Sequence, residues 1–322
     1  MGWLRKNFLY REDYNPALQG LRGLAVLWFF HLSFYGQFDP AKLTRITLGR
    51  PWLEKAVGAL PTLLAPGFLA PAVMYLLAGY LASGAVEKSS FPAYLLARCG
   101  RVYPVYLAAV LPILAYTCSG FGGLASALAL FELPQGLPSG SSAVFASLFW
   151  LPVLWAAVHG ATKTCPNLAL RSAIFLAAAG LYRLVHGEAS ALAAFPWVLA
   201  GVTAGALSTR LAARHAAGPG TAAAARAARL LSHPVLRYFG AVALPFFLIH
   251  ATWGLRLSRS ILHGEFLSIQ NIAAHYAMSL AFSTVFAGFL HLFFERPHLL
   301  RNLRNAPPAD TNPRSVTQGA RS

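Results

Sequence analysis

An all-α, polytopic transmembrane helix bundle is the fold class this sequence predicts, and three observations lead to it. Of the 322 residues, 57% are hydrophobic and only 11% are charged, whereas a soluble domain is about one quarter charged. The apolar residues gather in runs close to the length of about 20 that a helix needs to cross a bilayer. Those runs are continuous and rich in Leu, Ala and Phe rather than alternating, which excludes a β-barrel. Backbone groups in lipid must pair internally, so the runs are helices.

In order, the spans fall at roughly 17–38, 65–86, 101–118, 143–159, 168–186, 191–208, 235–257 and 271–294, eight in all. The fourth is short and the third contains Pro112, so their ends are soft. Two weaker segments, 121–133 and 221–232, read as half-helices or surface helices and raise the count to ten. Arg5, Lys6 and Arg11 precede the first run with no small-residue cleavage site after it, the pattern of an uncleaved signal anchor. Gly201 and Gly205 suit a close helix contact. Residues 1–304 read as one transmembrane domain, and 305–322, with Pro307, Pro308 and Pro313, as a disordered cytoplasmic tail.

The net charge of +16 would suggest nucleic acid in a soluble protein. Here the cations fall between apolar runs, which excludes that partner and points to topology and to anionic headgroups or ligands. With the N-terminus in the cytoplasm, only Lys42, Arg45, Arg50, Lys55, Arg183, Arg256 and Arg259 fall outside, and the other lysines and arginines fall inside. That split obeys the positive-inside rule and puts both termini in the cytoplasm. Cys99, Cys118 and Cys165 have neither metal spacing nor an even disulfide framework, and no metal site is expected.

The chemistry centres on the first span. Arg22 lies between Gly20 and Gly23 at the inner surface, and His31 lies about 14 Å further in by the helical rise. An ionisable side chain in hydrocarbon costs a few kcal/mol or more, which favours a functional role over simple packing. His250 reaches a similar depth from the seventh span, where a hydrogen-bonded structural histidine is the commoner case. Arg98, Arg101, Arg237, His291, Glu295 and Arg296 gather at the inner face. Arginine forks hold phosphates and stay charged, while histidine exchanges protons near neutral pH. A cationic vestibule below a histidine layer is the expected arrangement. Glu295, at a helix C-terminus that disfavours negative charge, calls for a cationic partner such as Arg22 or Arg98. Tyr103 and Tyr106 read as interfacial belt residues.

Gly20-Leu21-Arg22-Gly23-Leu24-Ala25-Val26-Leu27 followed by His31 resembles the first span of the acyltransferase-3 family of integral membrane O-acyltransferases. Leu76-Leu77-Ala78-Gly79-Tyr80-Leu81 is similar to its second-span glycine motif, and Arg98-Cys99-Gly100-Arg101-Val102-Tyr103-Pro104 to its paired arginines. Phe247-Leu248-Ile249-His250 resembles its penultimate span, and Phe294-Glu295-Arg296-Pro297 its terminal motif. The resemblance implies acyl transfer, commonly acetyl transfer, from cytoplasmic acyl-CoA to a hydroxyl of a cell-envelope glycan, a lipid-linked sugar or a small natural product. It implies no permanently bound cofactor. Arg22, Arg98 and Arg101 would hold the donor and His31 would be the catalytic base, with His250, Glu295 and Tyr103 in support. The matching location is a multi-pass position in a bacterial inner membrane.

Three features depart from the family pattern. The family places ten residues between the arginine and histidine of the first span, and this chain has eight. Nine steps of about 100° put Arg22 and His31 on opposite faces of a regular helix. Either Gly20 and Gly23 keep Arg22 outside the helix, a bulge corrects the register, or His31 has lost the family role. Leu154 stands where the family has a mid-chain glutamate, and eight spans fall short of the usual ten. A transporter or flippase of an anionic or proton-coupled solute, or a non-catalytic relative, fits the same cations and histidines. The lack of an internal repeat counts against the transporter.

Overall fold

The computed structural model describes residues 8, 15–35, 69–117, 141–162, 170, 173–175, 177, 198–204, 222–262 and 269–297. These residues are helical almost throughout, and none of them is in a strand. Helix α1 spans Pro16–Tyr35, α2 Leu69–Lys88, α3 Phe91–Thr117 and α4 Ser141–Ala161. Residues 198–204 form a further helical piece. Then come α5 (Ala222–Leu231), α6 (Pro234–Ala241), α7 (Ala243–Ile249), α8 (Leu255–Leu262) and α9 (Ile269–Leu290). A π-helical turn, His250–Gly254, joins α7 to α8, and a second, His291–Glu295, extends α9.

Local sequence explains the helix ends. Asn15 caps α1 by accepting the Ala17 N–H at 2.9 Å, and Pro16 occupies the first helical position, where its missing N–H costs nothing. His233 and Pro234 open α6 in the same manner, with Nδ1 accepting from the Val235 N–H at 3.4 Å. The expected seventh span, 235–257, is broken at Val242. Pro245 supplies no N–H to the carbonyl of Ala241, so the ladder is interrupted there. Pro104 and Pro112 lie inside α3 and Pro152 inside α4. Neighbouring helices can satisfy freed backbone groups in such places, and near Pro112 the Trp253 Nε1–H donates to Ala109 O at 3.0 Å.

Two helical stretches are long and apolar enough to cross a membrane, Leu69–Glu87 with 19 residues and Asn271–Glu295 with 25. The span expected at 101–118 begins earlier, at Phe91, so Arg98 and Arg101 sit within α3 and not at its entrance. The weak segment 221–232 is the helix α5, exposed from 226 to 230. Segment 121–133, most of 168–186 and 191–208, Gly205 and the tail 305–322 lie outside the described residues.

Glycine sets the closest helix crossings. A Cβ at Gly20 would overlap the Leu231 carbonyl oxygen, one at Gly23 that of Leu236, and one at Gly240 that of Gln19. These three glycines let α1 lie directly on α5 and α6. Gly201 serves the close contact expected of it: a Cβ there would meet Leu76 O, and one at Gly79 would meet Val198 O. The core between the helices is aromatic, with Phe29, Phe30, Phe34, Tyr106, Phe246 and Phe247 all buried.

Candidate functional site

Arg22, Arg98 and Arg101 line one cavity of about 390 Å³ between α1, α2, α3, α4 and α7. Apart from Tyr94, the rest of its wall is apolar. Met74, Leu77, Ala78, Leu81, Ala82 and Ala85 form one face of α2, and Phe145, Leu148, Phe149 and Phe247 close the opposite side. Arg237 and Arg296, expected in the same vestibule, do not line this cavity.

The glycines beside Arg22 do not take it out of the helix. Residues 16–35 are one unbroken α-helix, and Gly20 and Gly23 serve the crossing with α5 and α6. No bulge corrects the register either. His31 therefore falls on the opposite face of α1 from Arg22, as nine regular steps require. It is absent from the cavity wall. Its Nδ1 lies 2.9 Å from the Tyr276 hydroxyl, and the two rings meet edge to face at 5.3 Å.

Arg98 and Arg101, one turn apart on α3, have different surroundings. The Arg98 Nη2 donates to Leu148 O at 2.5 Å and Nη1 to the Tyr94 hydroxyl at 3.3 Å. Its guanidinium lies 5.5 Å from the Phe149 ring centre and 6.0 Å from that of Tyr94, within cation–π range. Its Nε is buried with no partner, and no carboxylate pairs with it, among the described residues. Arg101 donates through Nε to Glu295 Oε1 at 2.6 Å, and its Nη2 lies 2.5 Å from the same oxygen. Glu295 is 0% exposed, and its Oε2 lies 2.9 Å from His291 Nδ1. The carboxylate accepts, so the His291 proton on that contact is at Nδ1. The direct partners of Glu295 are thus Arg101 and His291, not the expected Arg22 or Arg98. Arg22 adds a longer-range attraction.

His250 is fully buried at the start of its π-helical turn. Its Nδ1 donates to Phe246 O at 3.1 Å, and Phe29, Phe30, Phe246 and Phe247 surround the ring at 5.6–5.8 Å. Nε2 has no partner among the described residues. Phe30 also packs on Tyr276 at 5.3 Å, so His250 and His31 flank one aromatic group, in keeping with a shared layer. Tyr103 is half-buried against Phe149 at 6.4 Å. Tyr106, expected in the interfacial belt, is fully buried because its ring stacks on Phe145 at 5.3 Å.

Tyr94, Leu148 and Phe149 hold Arg98, and sequence reading alone did not single them out. Tyr94 stands four residues before Arg98, a helical neighbour legible from spacing. The Leu148 carbonyl belongs to another helix and leaves no signal in sequence. No protein-family model, no curated protein and no solved structure matches this chain.

Proposed function

We propose that this chain is an integral membrane O-acyltransferase with eight to ten spans and both termini in the cytoplasm of a bacterial inner membrane. It moves an acyl group, acetyl first among them, from cytoplasmic acyl-CoA to a hydroxyl on an envelope glycan, a lipid-linked sugar or a small natural product. One observation carries the reading: Arg22, Arg98 and Arg101 share a cavity whose other wall is apolar. Guanidinium forks suit the donor's phosphates, and an apolar slot suits the chain that follows them. The membrane setting is supported by α9, which exposes Val285, Phe286, Phe289 and, in the turn that extends it, Phe293.

In the transfer itself, the acceptor oxygen attacks the thioester carbonyl, the C–S bond breaks and CoA leaves as the thiolate. His31, oriented by Tyr276, takes the hydroxyl proton. His31 is not on the cavity wall, so the transfer requires the thioester to leave the cavity for the opposite face of α1. The test is transfer of label from radiolabelled acetyl-CoA to an envelope fraction by protein in nanodiscs. His31→Ala is expected to lower the rate by about 10²–10⁴-fold, and Arg98→Ala to raise the KM at least tenfold. Full transfer by correctly inserted His31→Ala removes that residue from the chemistry. No transfer by the unaltered protein to any hydroxyl acceptor overturns the enzyme reading.

The separation of His31 from the arginines favours a second reading, a flippase or transporter of an anionic amphiphile that binds in the same cavity. Counterflow of a labelled anionic solute in proteoliposomes lacking acyl-CoA would support it.

A further inference from the structure

We infer that the buried face of α9 is a hydrated proton path, which carries the proton collected by His31 toward Glu295 and Arg101 at the edge of the arginine cavity. Its use in turnover rests on the acyltransferase reading, while the path itself rests on burial and spacing.

His275, Ser279, Ser283, Ala287, His291 and Glu295 follow one another at strict four-residue spacing along α9 and the turn that extends it. All of them are buried, and all but Ala287 are polar. From His275 to Glu295 the helical rise covers about 30 Å, which matches the hydrocarbon core of a bilayer. The exposed side of the same helix carries Phe286, Phe289 and Phe293, so this span keeps its polar groups inside.

A helical serine commonly donates to the carbonyl four residues back, as Thr284 does to Leu280 O at 2.7 Å. Ser279 and Ser283 do not, and neither hydroxyl has a hydrogen-bond partner among the described residues. What faces them is Gly254, the last residue of the π-helical turn. A Cβ there would overlap Ser283 Oγ and lie 3.1 Å from Ser279 Oγ. Glycine brings no side-chain donor or acceptor. His250, at the other end of that turn, has its Nε2 buried with no partner among the described residues. Buried polar atoms left over by the protein are satisfied by water, and these give it the polar lining it needs.

The outer end of the ridge reaches the base. Tyr276, next to His275 and three residues before Ser279, has its hydroxyl 2.9 Å from His31 Nδ1. Side chains three or four apart on a helix have Cβ atoms about 5–6 Å apart, a gap that one bridging water closes. Near Ala287 the Tyr238 hydroxyl comes in against the helix. It donates to Thr284 O at 3.0 Å and lies 2.8 Å from where a Cβ on Gly288 would stand. Its oxygen keeps a lone pair for water. At the inner end His291 pairs with Glu295, and Glu295 with Arg101 in the cavity wall.

In the transfer, His31 holds the acceptor's proton while CoA departs as the thiolate. A proton gained at His31 Nε2 releases the one on Nδ1 to the Tyr276 oxygen, which passes its own hydrogen to the path. The thiolate takes up a proton at the cavity end. CoA is thus released as the thiol, and His31 returns to the neutral base.

The test uses protein in nanodiscs carrying isotope-labelled histidine, with the His31 ring N–H assigned through His31→Gln. Saturation transfer from water reads the exchange rate of that N–H. Replacing both hydroxyls, Ser279→Ala together with Ser283→Ala, is expected to slow exchange at least tenfold. Unfolding would expose the ring and speed exchange, so a slower rate reports a broken path and not a damaged fold. In acetyl transfer the same variant should keep the rate of the first turnover and lose at least tenfold in the steady state, giving a burst. Unchanged exchange overturns the path. Slower exchange with an unchanged steady state overturns its role in turnover, since His31 then returns its proton directly to the thiolate. Slower exchange in a protein that transfers no acyl group overturns the acyltransferase reading and leaves the path standing.

Discussion

A guanidinium nitrogen buried without a partner carries a desolvation cost of about 1–3 kcal/mol or more. Arg98 is in that position, with Nε unpartnered among the described residues and its charge set against two aromatic faces and one carbonyl. An incoming phosphate would relieve that cost. Arg101 differs, because Glu295 already neutralises it. Arg98→Lys keeps the charge but loses the fork and the stacking on Phe149. It is expected to weaken CoA binding at least tenfold while the protein keeps a cooperative melting transition, at a midpoint lowered by the lost contacts to Leu148 O and Tyr94. Glu295→Gln keeps the shape but leaves the Arg101 charge without its counter-ion. Its expected cost is about 3 kcal/mol of stability, read as a lower melting midpoint in detergent, with a smaller effect on CoA affinity. Equal binding losses in the two variants would mean that both arginines meet the ligand.

Among the helices, the Gly20–Gly23 pair shows what was legible and what was not. The sequence marked both glycines as special, but glycine serves equally to break a helix or to admit a neighbouring one. Only the crossing of α1 with α5 and α6 decides between these, since a Cβ at either position would overlap a carbonyl oxygen. Gly23→Ala is therefore expected to cost about 3 kcal/mol or more through overpacking. Gly84, where an added Cβ would meet nothing within 4 Å, is the control. Gly84→Ala should be neutral or stabilising by up to about 1 kcal/mol through helix propensity. Unfolding by denaturant in mixed micelles measures both, and a tolerated Gly23→Ala would argue against so close a crossing. The break at Val242 was readable in principle from Pro245. The π-helical turns were not, because their extra residue per turn leaves no periodic trace.

Helical class and the clustering of cations were legible because both depend on composition and order along the chain. Arg22, Arg98 and Arg101 converge because the early turns of α1 and of α3 border the same cavity. The separation of His31 was also foreseeable from nine regular steps, once α1 proved unbroken. The ring contacts that run from Tyr106 through Phe145 and Phe247 to Phe29 were hidden, since the four residues come from four helices and look like ordinary apolar residues in each.

The exposed side of α9 tests the membrane setting of the whole molecule. Phe282 and Phe286 lie 4.2 Å apart and Phe289 and Phe293 4.4 Å apart, with Phe286, Phe289 and Phe293 exposed. In water such a ladder would drive aggregation, whereas in lipid it is the ordinary outer surface of a span. Ser279 and Ser283 face inward on the same helix and are fully buried. Phe286→Asp puts a charge into hydrocarbon near the middle of the span, at a cost of about 2.5–3.5 kcal/mol to insertion. Phe286→Leu keeps the surface apolar. In a microsomal insertion assay on this helix, the aspartate variant should lose most of its inserted fraction and the leucine variant none. Equal insertion of the two would mean that this face does not meet lipid, and the exposed phenylalanines would then need a protein partner to cover them.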